Sequence, residues 1–261
     1  MPLMNRPFDI TGKSPVIEIA LWGPPQSGKT NYLAMLLLSP KPEGWRLTAG
    51  IKTTEFLSKG MQIILEEKKF IPPTVDEDGF FYPFDFEIPG TFRSKNYTVY
   101  LPEYPGEYYA DPQKHSDFVQ RIAKCHGIIW LVDPIEIDNP TKDRKSYTRM
   151  ILEWLGILQE YGGGRIKPHM AFCLSKMDDS KQKEGFKDPK KYCLQKLGKP
   201  IQIILENFCD PKKVGFFATS TAGFIPGTDI SNVDPNDSRK LINEPSPIGL
   251  FDPFDWLFDV I

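Results

Sequence analysis

The chain has 261 residues, with 32 Lys+Arg against 34 Asp+Glu and a formal net charge of −2 at pH 7. This length suits one large α/β domain with insertions, and the balanced charge gives no electrostatic basis for binding nucleic acid. The four cysteines are scattered without a CxxC pair, and no window approaches the roughly 18 apolar residues that span a bilayer. We therefore expect a soluble, cytoplasmic protein with buried free thiols, no signal peptide and no membrane span.

A strand, a glycine-bounded loop and a helix open the fold, after a polar, proline-bearing lead-in over residues 1–14. The strand is predicted from Val16, and the helix from about Lys29 to Leu38. Between them lies the pattern GxxxxGK[ST] of a phosphate-binding loop (P-loop), in the strand-to-helix context that such a loop needs. The candidate nucleotide-binding residues here are Gly23, Pro24, Pro25, Gln26, Ser27, Gly28, Lys29, Thr30 and Asn31.

The chemistry of phosphate binding explains the spacing of this loop. Gly23 and Gly28 allow the backbone to curl so that successive N–H groups face a phosphate, and the helix N-terminus adds a partial positive charge. Lys29 is expected to reach the β- and γ-phosphates, and the Thr30 hydroxyl to bind Mg²⁺. The alternative is a Gly/Pro-rich turn with an incidental Gly-Lys-Thr.

The region after the first helix is predicted to add a short strand, a helix and a strand pair. The short strand covers residues 45–50, and the helix covers about Thr54 to Lys69, where apolar residues recur at three- and four-residue spacing. The strands Phe80 to Ile88 and Tyr97 to Leu101 flank a turn-like linker, which favours an antiparallel hairpin. Residues 41–80 are interpreted as a helical insertion.

The second half of the chain alternates helices with apolar strands. Helices are predicted at about 116–124, 144–160, through 201–205 and at 250–261, strands at 127–132, 169–174 and 214–219, and loops at 178–187 and 225–247. The alternation predicts a three-layer α/β domain over residues 15–261, whose mostly parallel sheet has one antiparallel edge hairpin. In such sheets the ligand binds at the C-terminal ends of the strands.

Polar residues follow three of the predicted strands. The hairpin runs into Pro102-Glu103-Tyr104-Pro105-Gly106-Glu107, and the next two strand ends are Ser175-Lys176-Met177-Asp178 and Ala218-Thr219-Ser220-Thr221-Ala222-Gly223. This order resembles the Ras-like GTPases, whose motifs are a P-loop, a switch I threonine, DxxG, NKxD and a Ser-Ala loop. More narrowly, Phe70-Ile71-Pro72-Pro73-Thr74 before an aromatic strand, with Pro-Gly-Glu after the next, resembles the bacterial double-GTPases.

The resemblance implies a role for each matching residue near the phosphates. Thr74 is the candidate switch I threonine that closes over Mg²⁺, and Glu103 stands where the DxxG aspartate contacts Mg²⁺ through water. Gly106 would donate its N–H to the γ-phosphate, and Glu107 takes the place of the water-orienting glutamine. The threonines at 53 and 54, which look like helix caps, are competing switch candidates.

On the base side, the resemblance implies that Asp178 accepts hydrogen bonds from guanine N1–H and the 2-amino group. The stem of Lys176 would cover the base, and a backbone N–H near Ser220-Thr221 would meet guanine O6. Two residues depart from the family pattern: Glu103 replaces Asp, and Ser175 replaces the Asn that braces the P-loop. These departures favour nucleotide binding over fast hydrolysis.

The resulting expectation is a GTP/GDP-binding protein with slow Mg²⁺-dependent hydrolysis that acts as a nucleotide-dependent switch. Aromatic and apolar residues in the 41–80 segment favour a protein effector or self-association as partner. Besides a degenerate domain that binds no nucleotide, two alternatives stay open. The first is a P-loop ATPase or kinase, in which Ser175-Lys176-Met177-Asp178 is a coincidence. The second is a nucleotide-gated scaffold that does not hydrolyse.

Overall fold

The computed structural model describes residues 16–72, 80–90, 94–104, 106–138 and 146–261. The strands within these ranges are β1 (Val16–Trp22), β2 (Arg46–Ala49), β3 (Phe80–Ile88), β4 (Lys95–Glu103), β5 (Gly127–Val132), β6 (His169–Leu174), β7 (Val214–Ala218), β8 (Val233–Asp234) and β9 (Asp237–Leu241). The helices are α1 (Lys29–Leu38), α2 (Ile51–Leu65), α3 (Gly106–Ala110), α4 (Ser116–Ala123), α5 (Pro134–Asp138), α6 (Tyr147–Tyr161), α7 (Glu184–Lys187), α8 (Pro189–Leu197), α9 (Lys199–Phe208) and α10 (Asp252–Val260). None of these helices is long and apolar enough to cross a membrane.

Seven of the strands form one sheet, in the order β2-β3-β4-β1-β5-β6-β7. The strands from β4 to β7 in this order run parallel, whereas β3 pairs antiparallel with both β2 and β4. The predicted mostly parallel sheet with an antiparallel hairpin at its edge is therefore confirmed, and β2 extends that hairpin. Strands β8 and β9 pair with each other in a separate small sheet.

Helices cover both faces of the large sheet. All of β5 is buried, as expected for a parallel strand between two helical layers. Trp130 of β5 packs in the same core as Trp154 of α6, whereas its neighbour Ile129 packs with Leu33 of α1 and Leu257 of α10. Because successive side chains of a strand point to opposite faces, these two cores lie on opposite sides of the sheet. The three-layer α/β prediction is confirmed.

A row of aromatic rings crosses the sheet from β1 to β7. Trp22, Trp130, Phe172 and Phe216 are direct cross-strand neighbours. Their successive ring centroids are 4.7, 5.5 and 5.5 Å apart. Aromatic pairs at such distances contribute about 0.5–1.5 kcal/mol beyond the area they bury. The row therefore favours the register in which the C-terminal ends of these strands meet at one edge.

Two segments predicted as loops contain short elements. After β6, Asp179 Oδ1 accepts from Lys181 N at 2.8 Å and begins a 3₁₀ turn, which is followed by α7. In the 225–247 segment, Asp234 Oδ1 accepts from Asn236 N at 2.8 Å at the turn between β8 and β9. The loop predictions are wrong here because side-chain caps hold elements that are too short to show an apolar period. The helices α3 and α5 were not predicted, because five residues are also too few to show an apolar period.

All four cysteines are free and buried. Burial raises the pKa of the Cys209 thiol to about 12. Burial also raises the pKa values of the thiols of Cys125, Cys173 and Cys193 above their ordinary range. Thiols in such surroundings are unreactive, so the cysteines serve packing.

Candidate functional site

The chain leaves β1 at Trp22 and turns through residues 23–28 into α1. Ser27 N donates to Pro24 O at 3.2 Å inside the turn, and Tyr32 N donates to Gly28 O at 2.8 Å at the start of the helix. Gln26 and Gly28 have φ angles of 67° and 93°, a left-handed conformation that favours glycine at Gly28. The loop is therefore tightly curled, and the strand and helix predicted on either side of it are confirmed.

Gly23 faces Ser27 across this loop. A Cβ atom on Gly23 would lie 2.2 Å from Ser27 Oγ, so the position admits only glycine without a shift of that side chain. Ser27 Oγ is buried and has no hydrogen-bond partner within the described part of the chain. Buried hydroxyls are normally hydrogen-bonded. The loop therefore presents a polar group that a ligand would satisfy.

Lys29 is buried, with 7% of its surface exposed. Its Nζ donates to Gly23 O at 2.7 Å and lies 4.9 Å from the centre of the Tyr109 ring. Tyr109 belongs to α3, and its carbonyl accepts from Trp154 Nε1 at 2.8 Å. A carbonyl and an aromatic face thus hold the ammonium group on the inner side of the loop. Thr30, the next residue, is buried in the first turn of α1.

The segment after β4 meets the P-loop at Gly106. A Cβ atom on Gly106 would lie 2.3 Å from Pro25 N and 2.4 Å from Pro25 Cα, so a larger residue would collide with the loop backbone. Glu107 follows in the first turn of α3 and is exposed. The structure therefore brings Gly106 to the P-loop, and Glu107 is the next residue along the chain. Thr74 and the side chain of Glu103 lie outside the described residues.

Asn31 connects α1 with the segment that follows α2. Its Oδ1 accepts from Ile71 N at 2.9 Å, and its Nδ2 donates to Ile71 O at 3.3 Å. One neutral side chain thus satisfies both backbone groups of a residue 40 positions away. We conclude that the Asn31 amide positions the chain shortly before Thr74, a role that the sequence pattern does not indicate.

The competing switch candidates, Thr53 and Thr54, lie in the first turn of α2. The buried Thr53 hydroxyl donates to Pro83 O at 3.4 Å, and the Thr54 hydroxyl donates to Gly50 O at 3.1 Å. The Thr54 hydroxyl thus bonds back within the start of α2. The Thr53 hydroxyl instead joins α2 to β3. The prediction that these threonines cap the helix is wrong, because α2 begins at Ile51, its N-cap residue is Gly50, and it has no side-chain cap.

Lys176 connects the segment after β6 with two other strand ends. Its Nζ lies 2.5 Å from Asp133 Oδ2 and 3.4 Å from Gln26 O in the P-loop. Asp133 follows β5 and is 3% exposed, and its Oδ1 also accepts from the N–H groups of Ile135 and Glu136. Asp133 is missing from the residues predicted for the site. The available signal was its place directly after a buried strand, where the other candidates also lie.

Ser175 stands where the resembled family has asparagine. Its N and Oγ both donate to Val132 O, at 2.8 and 3.3 Å. The buried Ser175 hydroxyl is therefore hydrogen-bonded to the last residue of β5. The bond from this segment to the P-loop is supplied by the neighbouring Lys176 instead.

Asp178 is buried, with 4% of its surface exposed. Its Oδ1 accepts from Ser220 Oγ at 2.5 Å, and its Oδ2 accepts from Ser231 Oγ at 2.6 Å. Ser220 follows β7 and was a candidate, whereas Ser231 lies in a segment predicted as a loop. A carboxylate held by two hydroxyls in the interior differs from the solvated surface charge that a charged run usually forms.

The segment after β7 is held by a second chain segment. Ser220 N donates to Ile248 O at 3.0 Å, and Ile248 N donates to Ser220 O at 2.9 Å. The Ser220 N–H is thus occupied by a protein carbonyl. Of the two positions predicted to meet a base oxygen, Thr221 is the one that stays a candidate.

Comparison with known proteins gives low similarity throughout. No protein-family model and no curated protein sequence matches the chain. Solved structures similar to it include Sup35 complexed with GDP, with 9% sequence identity and a TM-score of 0.39. That alignment covers 80% of this chain and 38% of the Sup35 chain. The S. cerevisiae Ski7 GTPase-like domain bound to GTP has 13% identity and a TM-score of 0.47, and the alignment covers 94% of this chain and 50% of that one. The G domain of the T. maritima FeoB iron transporter has 11% identity and a TM-score of 0.37, and the alignment covers 94% of this chain and 98% of that one. The chain thus spans half or less of the first two. At these identities and TM-scores, the similar structures do not indicate a function for this chain.

Proposed function

We propose that this chain binds GTP and GDP, hydrolyses GTP slowly with Mg²⁺, and acts as a nucleotide-dependent switch. The observation that supports this most directly is the position of Lys176. Its ammonium group lies 3.4 Å from Gln26 O in the P-loop, and the buried carboxylate of Asp178 follows two residues later. The P-loop and a buried carboxylate that could accept hydrogen bonds from a nucleobase thus lie at the same edge of the sheet.

The P-loop region has groups that would suit both the phosphates and Mg²⁺. The curled backbone of residues 23–28 would offer N–H groups to the phosphates, and Lys29 would exchange its carbonyl partners for phosphate oxygens. Thr30 would offer its hydroxyl to Mg²⁺. An oxygen donor fits this ion, which takes few protein ligands and completes its shell with phosphate oxygens and water. Thr74 and Glu103 are the further Mg²⁺-shell residues that we propose.

Base selection would come from Asp178. Guanine presents two adjacent donors, N1–H and the 2-amino group, that match two carboxylate oxygens. Adenine presents an acceptor at N1, which would face the carboxylate without a hydrogen bond. Because a site built to bond donors strongly rejects a ligand that lacks them, GTP would be preferred over ATP. The Lys176 stem would cover the base, and the Thr221 N–H would meet O6.

Replacement of Asp178 by Asn tests the base assignment. Asp178→Asn should lower GTP affinity by on the order of 100-fold, because two charge-assisted hydrogen bonds are weakened. The measurement is calorimetric titration with Mg²⁺-GTP. The matched control is Asp179→Asn, since Asp179 bonds only locally to Lys181 N at the start of a 3₁₀ turn and should bind GTP like the parent. An unchanged GTP affinity in Asp178→Asn would favour the ATPase or kinase alternative.

Hydrolysis would depend on the segment that touches the P-loop at Gly106. The Gly106 N–H would donate to the γ-phosphate, and Glu107 would accept a hydrogen bond from the attacking water. Glu107 is exposed, so bulk water competes with the attacking water for the hydrogen bonds of its carboxylate. Slow turnover is the outcome that this geometry favours. Loss of turnover altogether would leave the scaffold alternative.

Single-turnover GTP hydrolysis separates the enzyme from the scaffold. Glu107→Ala should reduce the rate by about 100-fold, the usual contribution of one positioned acid–base group. The control is Asp117→Ala, an exposed acid in the first turn of α4, which should retain the parent rate. Equal rates for Glu107→Ala and the parent would remove Glu107 from catalysis, and a parent without turnover would favour the scaffold.

The switch would be the segment from about Lys41 to Phe80, an extended switch I insertion in which Thr74 lies between α2 and β3. Ile71 is held by Asn31, next to the P-loop residue Thr30, and Phe70 N donates to Arg239 O at 2.9 Å. The described part of the segment thus has a firm anchor shortly before Thr74. Closure of Thr74 over the γ-phosphate would connect this anchor to the nucleotide. We propose a protein effector or a second copy of this chain in the cytoplasm as the partner, and membership of the bacterial double-GTPase branch that the sequence resembles.

Replacement of Asn31 tests the coupling of this segment to the nucleotide. Asn31→Ala should weaken a non-hydrolysable GTP analogue by about tenfold, since two hydrogen bonds are lost, and should leave GDP nearly unaffected, because only the γ-phosphate needs Thr74. Affinities for both nucleotides give the comparison. Gln62→Ala, an exposed site on α2, is the control. Equal losses for the two nucleotides would show that Asn31 supports only the fold.

A further inference from the structure

Ser231 lies outside every motif that the sequence resemblance covers, yet it contacts Asp178 directly. Its Oγ donates to Asp178 Oδ2 at 2.6 Å, on the carboxylate oxygen that Ser220 leaves free. The two serines come from different segments, Ser220 after β7 and Ser231 just before β8. One carboxylate is thus held through both oxygens by two hydroxyls that reach it independently.

Backbone groups set the direction of both hydroxyls. Ser231 Oγ accepts from Val233 N at 3.2 Å, and Ser220 Oγ accepts from Gly223 N at 2.8 Å. Because each hydroxyl has one proton, an oxygen that accepts from a backbone N–H directs that proton elsewhere. In both cases the proton points to Asp178, which is an acceptor when ionised.

A buried amide next to Ser231 holds this arrangement in place. Asn232 has no exposed surface. Its Nδ2 donates to Glu244 O at 2.9 Å and Asn243 O at 3.3 Å, and its Oδ1 accepts from Asn243 N at 2.8 Å. Its backbone N donates to Gly223 O at 3.0 Å. Ser231 is therefore positioned by the fold around it and not by Asp178 alone.

We propose that Ser231 is a positioning residue for guanine selection, an inference that rests on the proposed function. A carboxylate held at one oxygen can still rotate about its Cβ–Cγ bond, whereas hydroxyls on both oxygens fix its plane. With that plane fixed, both oxygens keep lone pairs for the paired donors of guanine, N1–H and the 2-amino group. Ser231 thus acts through Asp178, and its loss weakens the recognition of the 2-amino group most.

The test compares variants at position 231 for binding of GTP and ITP, whose hypoxanthine base lacks the 2-amino group. Ser231→Thr and Ser231→Val have the same shape and differ in the hydroxyl. Ser231→Val should bind GTP about tenfold more weakly than Ser231→Thr, the usual effect of losing one hydrogen bond to a charged group. The GTP-to-ITP affinity ratio should fall several-fold in Ser231→Val and stay near the parent value in Ser231→Thr. Ser238→Ala, an exposed site in β9, is the control.

Two outcomes separate this inference from the proposed function. If the parent binds GTP much more tightly than ATP but the Thr and Val variants share one GTP-to-ITP ratio, Ser231 has no part in selection and only this inference fails. If the parent binds ATP as tightly as GTP, the proposed function fails first. Melting temperatures of the Thr and Val variants show whether both are folded at the temperature of the titration.

Discussion

The arrangement of the site depends on one charged side chain, that of Lys176. Its backbone has a φ angle of 57°, a left-handed conformation that is uncommon outside glycine. Its ammonium group lies between the Asp133 carboxylate at 2.5 Å and the Gln26 carbonyl at 3.4 Å. Residues that follow β1, β5 and β6 are thereby joined by one cation. Because Asp133 is buried, removing the lysine would leave an unpaired interior carboxylate, which is costly.

Around this centre, residues far apart in sequence hold the site from two sides. Asn31 bonds to Ile71 beside the P-loop, and Ser231 bonds to Asp178 where we propose that the base lies. The small β8–β9 sheet lies between them in the chain of contacts, since Leu241 N donates to Lys68 O at 2.7 Å. The segment before Thr74 and the segment before β8 therefore contact the same hairpin. A nucleotide that contacted both segments would therefore contact two parts of the chain that are joined through the β8–β9 hairpin.

Local pattern explains which features were predictable from the sequence. The P-loop, the buried strands and the edge hairpin are each encoded by neighbouring residues: a glycine spacing, an apolar run and an alternation. Asp178 was predicted from its place after β6 and from the family resemblance. Its burial shows that it is not a solvated surface charge, and its role toward guanine stays a prediction. Asp133 and Ser231 were missed because their importance arises from partners 43 and 53 residues away. Nothing in a single sequence reports such tertiary pairs, and the roles assigned to Thr74 and Glu103 stay predictions.

Calorimetric titration of the parent chain with GTP, GDP and ATP in the presence of Mg²⁺ tests the central claim most directly. That claim is that the P-loop and Asp178 hold the two ends of one guanine nucleotide. We expect GTP and GDP to bind, and ATP to bind at least about 100-fold more weakly, because adenine has an acceptor at N1 and no 2-amino group where guanine offers two donors. Equal affinity for ATP and GTP, or no binding of any of the three, would contradict it.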